Sequence, residues 1–423
     1  MHKNVVVIGG GFGGIQAAKT ARKKLGSGFS VAVIDRSPEH LFYPSLYEIA
    51  SASLVDRGET DFDKSLYGVK LRSSVSISFS QIFFGTGIDF LQAQVKNLNI
   101  EKREISLGSG EVVTYDYLVL ALGAERATFG IPGVEEYAYG FHSINDALLI
   151  HRRMHQLHEA AKKSGFSKPI KIVIGGAGFS GIELAAEMVC CSKVFGRMCG
   201  ADKICTEITL VEAGKMLTTI SNRERQIVRQ RLRELKIKVL EDRRIKKITA
   251  TSLIVNEGEE IEADLIIWTA GVKASTFVSN IIGLHTDDRQ RIIVDKYLQA
   301  KDAPRVYAIG DNAGFIDPKT QKTVPGLAYV ASQQGKIAGY NIASALTKAD
   351  LKKQYIPEYD AWVLPVGAKY AVAHLGRYLS VAGFFGWVIR MLIDLRYFVT
   401  ILPFFAAVKL FYQDIQLFIK NDK

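Results

Sequence analysis

Six residues near the start carry the first chemical signal. In Gly9-Gly10-Gly11-Phe12-Gly13-Gly14, the residues Gly9, Gly11 and Gly14 satisfy G-x-G-x-x-G. They follow the β-branched run Lys3 to Ile8 and precede a helical pattern from Ile15 to Leu25. Gly9 permits a tight turn, Gly11 lets the backbone approach a pyrophosphate, and Gly14 lets helix and strand pack closely. The helix start offers unpaired N–H groups and a positive dipole to phosphates. Asp35, beyond the apolar run Val31 to Ile34 and ahead of Arg36, is placed to bind a ribose.

The pattern recurs. Ile170 to Ile174 leads into Gly176, Gly178 and Gly181, a helix is expected from Ile182 to about Val194, and the strand Ile208 to Val211 ends in Glu212. An acid there accepts a ribose 2′-OH and repels a 2′-phosphate, so NADH is expected over NADPH. Two further strands match: Tyr117 to Leu122, bringing Ala121 and Gly123, and Leu265 to Trp268, bringing Ala270 and Gly271. A dehydrogenase of soluble substrates needs one such site, whereas two cofactors that exchange a hydride need two. FAD and NADH are the natural pair. Tyr307 to Asp311 reads as a strand ending in Gly310-Asp311, where Asp311 could hold the ribityl chain.

With 423 residues, 48% hydrophobic and 23% charged, the chain fills two cores plus an appendage, which excludes a small binding module. A net charge of +11 suits nucleic acid, an anionic membrane or an anionic substrate, and does not choose among them. Cys190, Cys191, Cys199 and Cys205 show no C-x-x-C spacing, so neither a redox disulfide nor a zinc knuckle is expected. His151, His155 and His158 share one helical face, but Arg152 and Arg153 disfavour a cation; a solvated connecting helix and no metal are expected. Met1 to Asn4 leads straight into a strand without a targeting pattern, so the catalytic body is expected to stay where it is made.

Nearly the whole chain resembles the two-dinucleotide-binding flavoproteins, and within them the type II, non-pumping NADH:quinone oxidoreductases. The glycine motifs and Gly310-Asp311 support only the superfamily. Three segments narrow it. His40 to Tyr47, with Pro44 and Leu46, is similar to the family's segment beside the flavin ring; Glu183 matches the family's glutamate near nicotinamide and quinone; Ala328 to Gly335 is similar to the Ala-Gln-x-Ala-x-Gln helix start that lines the quinone pocket. Tyr329 stands where the family has glutamine. The resemblance implies hydride transfer from NADH to FAD, then two-electron reduction of a membrane quinone in a respiratory chain, with Glu183, Tyr329, Gln333 and Gln334 around the acceptor.

The implied fold is α/β: an FAD domain in two segments, 1–140 and 281–375, an inserted NADH domain, 165–280, and a membrane-docking region, 376–423. The longest uncharged stretches at the C-terminus, Tyr378 to Ile389 and Tyr397 to Val408, are twelve residues each, too short to span. Val408, Phe411, Tyr412, Ile415, Phe418 and Ile419 are expected on one face and Lys409, Gln413, Gln416 and Lys420 on the other, an interfacial helix assisted by Arg390 and Arg396. Removal from Leu379 onward is expected to leave a folded flavoprotein. The expected setting is the cytoplasmic face of the cell's inner membrane, as a homodimer without nucleic acid. A sulfide:quinone oxidoreductase would need cysteines outside 190–205, and a scaffold flavoprotein like apoptosis-inducing factor would have no use for Gln333 and Gln334.

Overall fold

The computed structural model describes residues 1–52, 66–199, 205–349, 351–376 and 379–421, without side chains at 66–68, 70, 190–199 and 417–421. The helices that matter below are, in chain order, α1 (Phe12–Leu25), α2 (Leu46–Ala50), α3 (Leu66–Val75), α4 (Ile144–Lys163), α5 (Phe179–Cys199), α6 (Ala328–Leu346), α7 (Phe384–Ile401) and α8 (Phe404–Asn421).

The chain divides into two compact units. The first comprises Met1–Leu41, Ser76–Glu125 and Val272–Tyr359. Its strand His2–Ile8 lies between Val31–Asp35 and Val112–Leu120, parallel to both, and Val306–Ala308 adds a parallel partner to Val112–Leu120. Val5, Val6 and Val7 are wholly buried, which is why the strand reads as a continuous apolar run and not as an alternation. Helices α1 and α6 meet nearly backbone to backbone. A Cβ on Gly335 would lie 2.2 Å from the Gly13 carbonyl oxygen, and one on Gly339 would lie 2.4 Å from that of Ala17.

The second unit comprises Phe42–Val75, Arg126–Gly271 and Asp360–Lys423. A parallel sheet runs Tyr139–Gly140, Leu265–Trp268, Ile170–Gly175, Thr206–Val211, Lys238–Leu240, and repeats the strand, glycine turn, helix and strand of the first unit. An antiparallel sheet, Ala361–Pro365, Ala371–Leu375 and Leu379–Gly383, precedes α7.

Three expectations change here. Residues 376–423 are not an appendage: Phe398 and Ile401 of α7 are wholly buried, with Phe398 and Tyr397 packed on Phe42 at 4.8 and 5.5 Å between ring centres. Truncation at Leu379 would therefore remove a sheet strand and part of the core of the second unit. Helix α4 is not a solvated connector, because it packs on α2. His151 and His158 are buried, His158 Nδ1 donates to the Met154 carbonyl at 2.8 Å, and His155 Nε2 lies 3.3 Å from the Ala52 carbonyl oxygen. Burial pushes His155 down to about 4, so this face is neutral imidazole held by packing. Cys205 is disulfide-bonded, whereas the cysteine spacing gave no expectation of a redox disulfide; the other three cysteines lie outside the described side chains.

The C-terminal helix presents its expected apolar face only in part. Ala407, Leu410 and Asp414 face inward, Phe411 and Ile415 are half-buried, and Phe404, Phe405, Val408 and Tyr412 are exposed. Phe418, Ile419 and Lys420 lie outside the described side chains. Arg390, expected at a lipid surface, is buried against Asp394. Among the described residues no helix is long and apolar enough to cross a membrane.

Candidate functional site: two dinucleotide cradles

In the first unit Gly9 has φ +102°, and a Cβ there would lie 2.2 Å from the Ala121 carbonyl oxygen. A Cβ on Gly14 would lie 1.9 Å from the Gly9 carbonyl oxygen, so both positions exclude any side chain. Gly11 differs: it is exposed, and a Cβ would meet nothing within 4 Å. It caps α1 without a side-chain hydrogen bond, leaving first-turn amides for an anion. Asp35 fixes the loop, its Oδ2 accepting from Gly10 N at 2.6 Å and its Oδ1 from Ser37 N at 2.8 Å. Arg36 is exposed beside it. His40 Nδ1 donates to the Gly10 carbonyl at 3.1 Å and its ring meets Phe12 edge-on at 4.9 Å.

The second unit repeats this. Gly176 has φ +109°, a Cβ on Gly181 would lie 2.1 Å from the Gly176 carbonyl oxygen, and Gly178 is exposed with open space above it. Glu212 plays the part of Asp35: Oε2 accepts from Ala177 N at 2.8 Å and Oε1 from Gly214 N at 3.2 Å. Gly176, Glu212, Trp268 and Ala270 line a cavity of about 430 Å³ whose remaining wall includes Arg243, Arg244 and Lys246. Arg243 and Arg244 come from the loop before a small antiparallel sheet, and Lys246 from its first strand, Ile245–Ile248. No motif marks them in the sequence, although three basic residues within four positions hint at an anion. Lys215, the nearer candidate by sequence, is paired with Asp242.

Gly123, Gly271 and Gly310 have φ of +69°, +92° and +71°, the left-handed region that only glycine enters without strain. A Cβ on Gly326 would lie 2.3 Å from Asp311 Oδ1, so that glycine makes room for the Asp311 carboxylate. Both cradles fit a dinucleotide by their own geometry: a turn closed to side chains, an open glycine over it, and a carboxylate holding the loop.

The residues expected around an acceptor divide between the units. Tyr329, Gln333 and Gln334 stand on the first turns of α6, which Ala328 begins, in the first unit; Glu183 stands on α5, and Pro44 and Leu46 at and before α2, in the second. The expectation for Gln334 is revised. It is buried, and its Oε1 accepts from Gly310 N at 2.6 Å, so it holds the Gly310-Asp311 turn. Gln333 is half-buried, with Nε2 donating to the Glu358 carbonyl at 3.1 Å and Oε1 without a partner. Glu183 is half-buried, and burial pushes it up to about 7 against the opposing pull of Arg390.

Duplicated cradles on parallel sheets define a two-dinucleotide oxidoreductase, and the chain belongs to the pyridine nucleotide-disulphide oxidoreductase family, whose model matches residues 3–335. A type II NADH:quinone oxidoreductase of Haemophilus influenzae is 30% identical over 384 residues, covering 83% of this chain and 82% of that one. An alternative NAD(P)H-ubiquinone oxidoreductase C1 of Arabidopsis thaliana is 28% identical, covering 82% and 68%. Within the wider family the chain thus falls among the type II NADH:quinone oxidoreductases. Its fold is that of Plasmodium falciparum NDH2 solved in complex with NADH, with TM-score 0.79 at 18% identity over 98% of each chain.

Proposed function

We propose that this chain is an FAD-dependent NADH:quinone oxidoreductase that passes a hydride's two electrons from NADH through the flavin to a membrane quinone, without moving ions. The observation that carries this is the pairing of two cradles of one design, each with an open glycine and a loop-holding acid, in a chain whose relatives are named for that reaction. The first unit, with Asp311 and Gly310 added to its cradle, would hold FAD; the second would hold NADH. FAD, when bound, supplies a two-electron carrier between a hydride donor and a quinone.

The chain's own residues then divide the remaining work. Glu212 orients a ribose and opposes a 2′-phosphate. Gln333, with its amide nitrogen engaged, has Oε1 left to accept from a quinol hydroxyl, and the Tyr329 phenol can donate to a quinone carbonyl. Glu183, protonated for a sizeable fraction near neutral pH, is a proton donor. Stopped-flow mixing tests the reading: NADH is expected to bleach the flavin, and decylubiquinone to restore its colour. Bleaching without restoration would leave a flavoprotein of another class.

The docking face proposed is the exposed set Phe384, Phe385, Phe404, Phe405, Val408 and Tyr412, with Arg396 and Lys409 exposed nearby in the sequence. These exposed apolar side chains are costly to leave in water and fit the interface of an anionic bilayer. The inner membrane's cytoplasmic side, where NADH is made, is the proposed location. Phe404→Glu with Phe405→Glu is expected to abolish co-sedimentation with phosphatidylglycerol vesicles. Loss of a dimer in sedimentation velocity, with vesicle binding intact, would assign the patch to a homodimer instead.

A further inference from the structure

Residues 351–359 run without helix or strand to the last residue of the first unit. A segment with no ladder of its own must find other partners for its backbone, and here side chains supply several of them. Near its start, buried Asn341 of α6 takes both polar groups of Lys353. Its Oδ1 accepts from Lys353 N at 2.7 Å, and its Nδ2 donates to the Lys353 carbonyl at 2.9 Å and to the Tyr297 carbonyl at 3.1 Å. Tyr355 N donates to the Lys296 carbonyl at 2.8 Å, and the buried Tyr355 ring meets Phe315 edge-on at 5.0 Å. Two contacts follow at the far end: the Glu358 carbonyl accepts from Gln333 Nε2 at 3.1 Å, and the Tyr359 hydroxyl donates to Asp317 Oδ2 at 2.6 Å.

Asp317 is itself held firmly. It is buried at the start of a turn, with its N–H on the Lys322 carbonyl at 2.9 Å and its own carbonyl accepting from Gln321 N at 2.8 Å. Its Oδ1 accepts from Lys319 N at 2.8 Å and its Oδ2 from Thr320 Oγ1 at 3.1 Å, so the carboxylate is fixed before Tyr359 reaches it. The bond from Tyr359 holds the Asp317 carboxyl below its ordinary range, and the same bond raises the phenol. Near neutral pH one is therefore a standing acceptor and the other a standing donor.

The carbonyl next to this bond decides what Gln333 presents. A carboxamide carries its donors on nitrogen and its acceptor on oxygen, and only the nitrogen can face a carbonyl. With Nε2 turned to Glu358, Oε1 is the end left over, and it has no hydrogen-bond partner among the described residues. A bare amide oxygen pairs with the hydroxyl of a quinol but not with the carbonyl of a quinone.

We propose that Tyr359 and Asp317 are positioning residues for the quinone site: by fixing the Glu358 carbonyl they keep the Gln333 amide oxygen free, and the site binds the reduced head group more tightly than the oxidised one. The preference for quinol rests on the function proposed above. By linkage, tighter binding of quinol favours reduction of the bound head group by the same factor, and it makes quinol a product inhibitor.

The test uses the full-length, FAD-loaded protein with decylubiquinone and decylubiquinol. Tyr359→Phe removes only the hydroxyl. It is expected to weaken inhibition by decylubiquinol about fivefold, the order of one hydrogen bond, while KM for decylubiquinone changes less than about twofold. Asp317→Asn, whose amide can still meet the phenol, is expected to keep most of the inhibition, and Asp317→Ala to lose it. In Gln333→Ala, the further change Tyr359→Phe is expected to alter neither constant, because its effect passes through that amide. Effects that add in the double variant, or that fall equally on quinol and quinone, would leave Tyr359 a structural role only and overturn the proposal. A second readout needs no quinone. In protein carrying isotope-labelled glutamine, the side-chain amide signal that Gln333→Ala removes is expected to exchange with solvent about tenfold faster in Tyr359→Phe. An unchanged exchange rate overturns the positioning whatever binds there. Faster exchange in a protein that never reduces decylubiquinone overturns the quinone reading, and with it the preference for quinol, while the positioning of Gln333 stands.

Discussion

The backbone N–H of Gly310 donates to Gln334 Oε1 across 2.6 Å, joining the first turns of α6 to the Gly-Asp turn at the end of Val306–Ala308. Two adjacent glutamines thus have separate duties. Gln334→Ala leaves a half-buried N–H without its acceptor, at a cost of about 1 kcal/mol. It is expected to lower the FAD content of the purified protein. Gln333→Ala is expected to keep full flavin absorbance and normal reduction by NADH while slowing reoxidation by quinone severalfold. Equal effects of the two changes on FAD occupancy would remove the distinction.

The glycines give a second contrast. Above Gly11 and Gly178 there is open space, so valine at either is expected to fold. Gly11→Val is expected to purify colourless, and Gly178→Val to purify yellow but unreduced by NADH. Gly14→Ala drives a Cβ to 1.9 Å from a backbone oxygen and is expected to give insoluble protein. Spectra of the three soluble fractions check all of this at once.

Cofactor choice rests on Glu212. Its oxygens already accept from Ala177 N and Gly214 N, so it cannot swing aside for a 2′-phosphate without releasing the loop. NADH is expected to exceed NADPH at least tenfold in kcat/KM, about 1.4 kcal/mol. With Arg243 and Arg244 on the same cavity wall, Glu212→Ser is expected to narrow that ratio mainly by raising activity with NADPH. Parity between the cofactors in the unaltered protein would refute the assignment.

His40 supplies a pH dependence. It is buried, and that burial pushes it down to about 4 against an unfolded value near 6.5. The folded value is the depressed one, so the neutral ring's contribution is complete above 6.5 and lost as pH falls toward 4. At about 1.4 kcal/mol per pKa unit, the loss is about 3 kcal/mol for the first unit. Urea midpoints measured across that window are expected to fall, and to fall less in His40→Gln.

The cradles were legible because their signal is local. A glycine that must be glycine, an acid ending a strand and a continuous apolar run are each written within a few residues, and their repetition at 176–212 doubles the weight. What escaped reading depends on contacts between distant segments. Arg390 reads as a lipid-facing cation until the Pro44 carbonyl and Asp394 are seen to hold it inside. Helical periodicity placed the apolar residues of α8 on one side, but its inward face is set by Asp414, which no hydrophobic pattern would bury. Gln333 and Gln334 look equivalent in sequence, and only the position of Gly310 separates them.

The near contact of Gly335 and Gly339 with α1 has a consequence for synthesis. Gly9 to Gly14 leave the ribosome among the first residues, yet Gly310, Asp311 and the helix that closes on Gly13 emerge only after the whole inserted segment Arg126–Gly271. A nascent chain long enough to have made the first cradle lacks the strand Val306–Ala308 that pairs beside it. Non-local pairing of this kind is slow to form. Flavin capture is thus expected only after the inserted segment has emerged, and that segment has its glycine turn, sheet and cavity wall complete before the unit that encloses it in sequence can close.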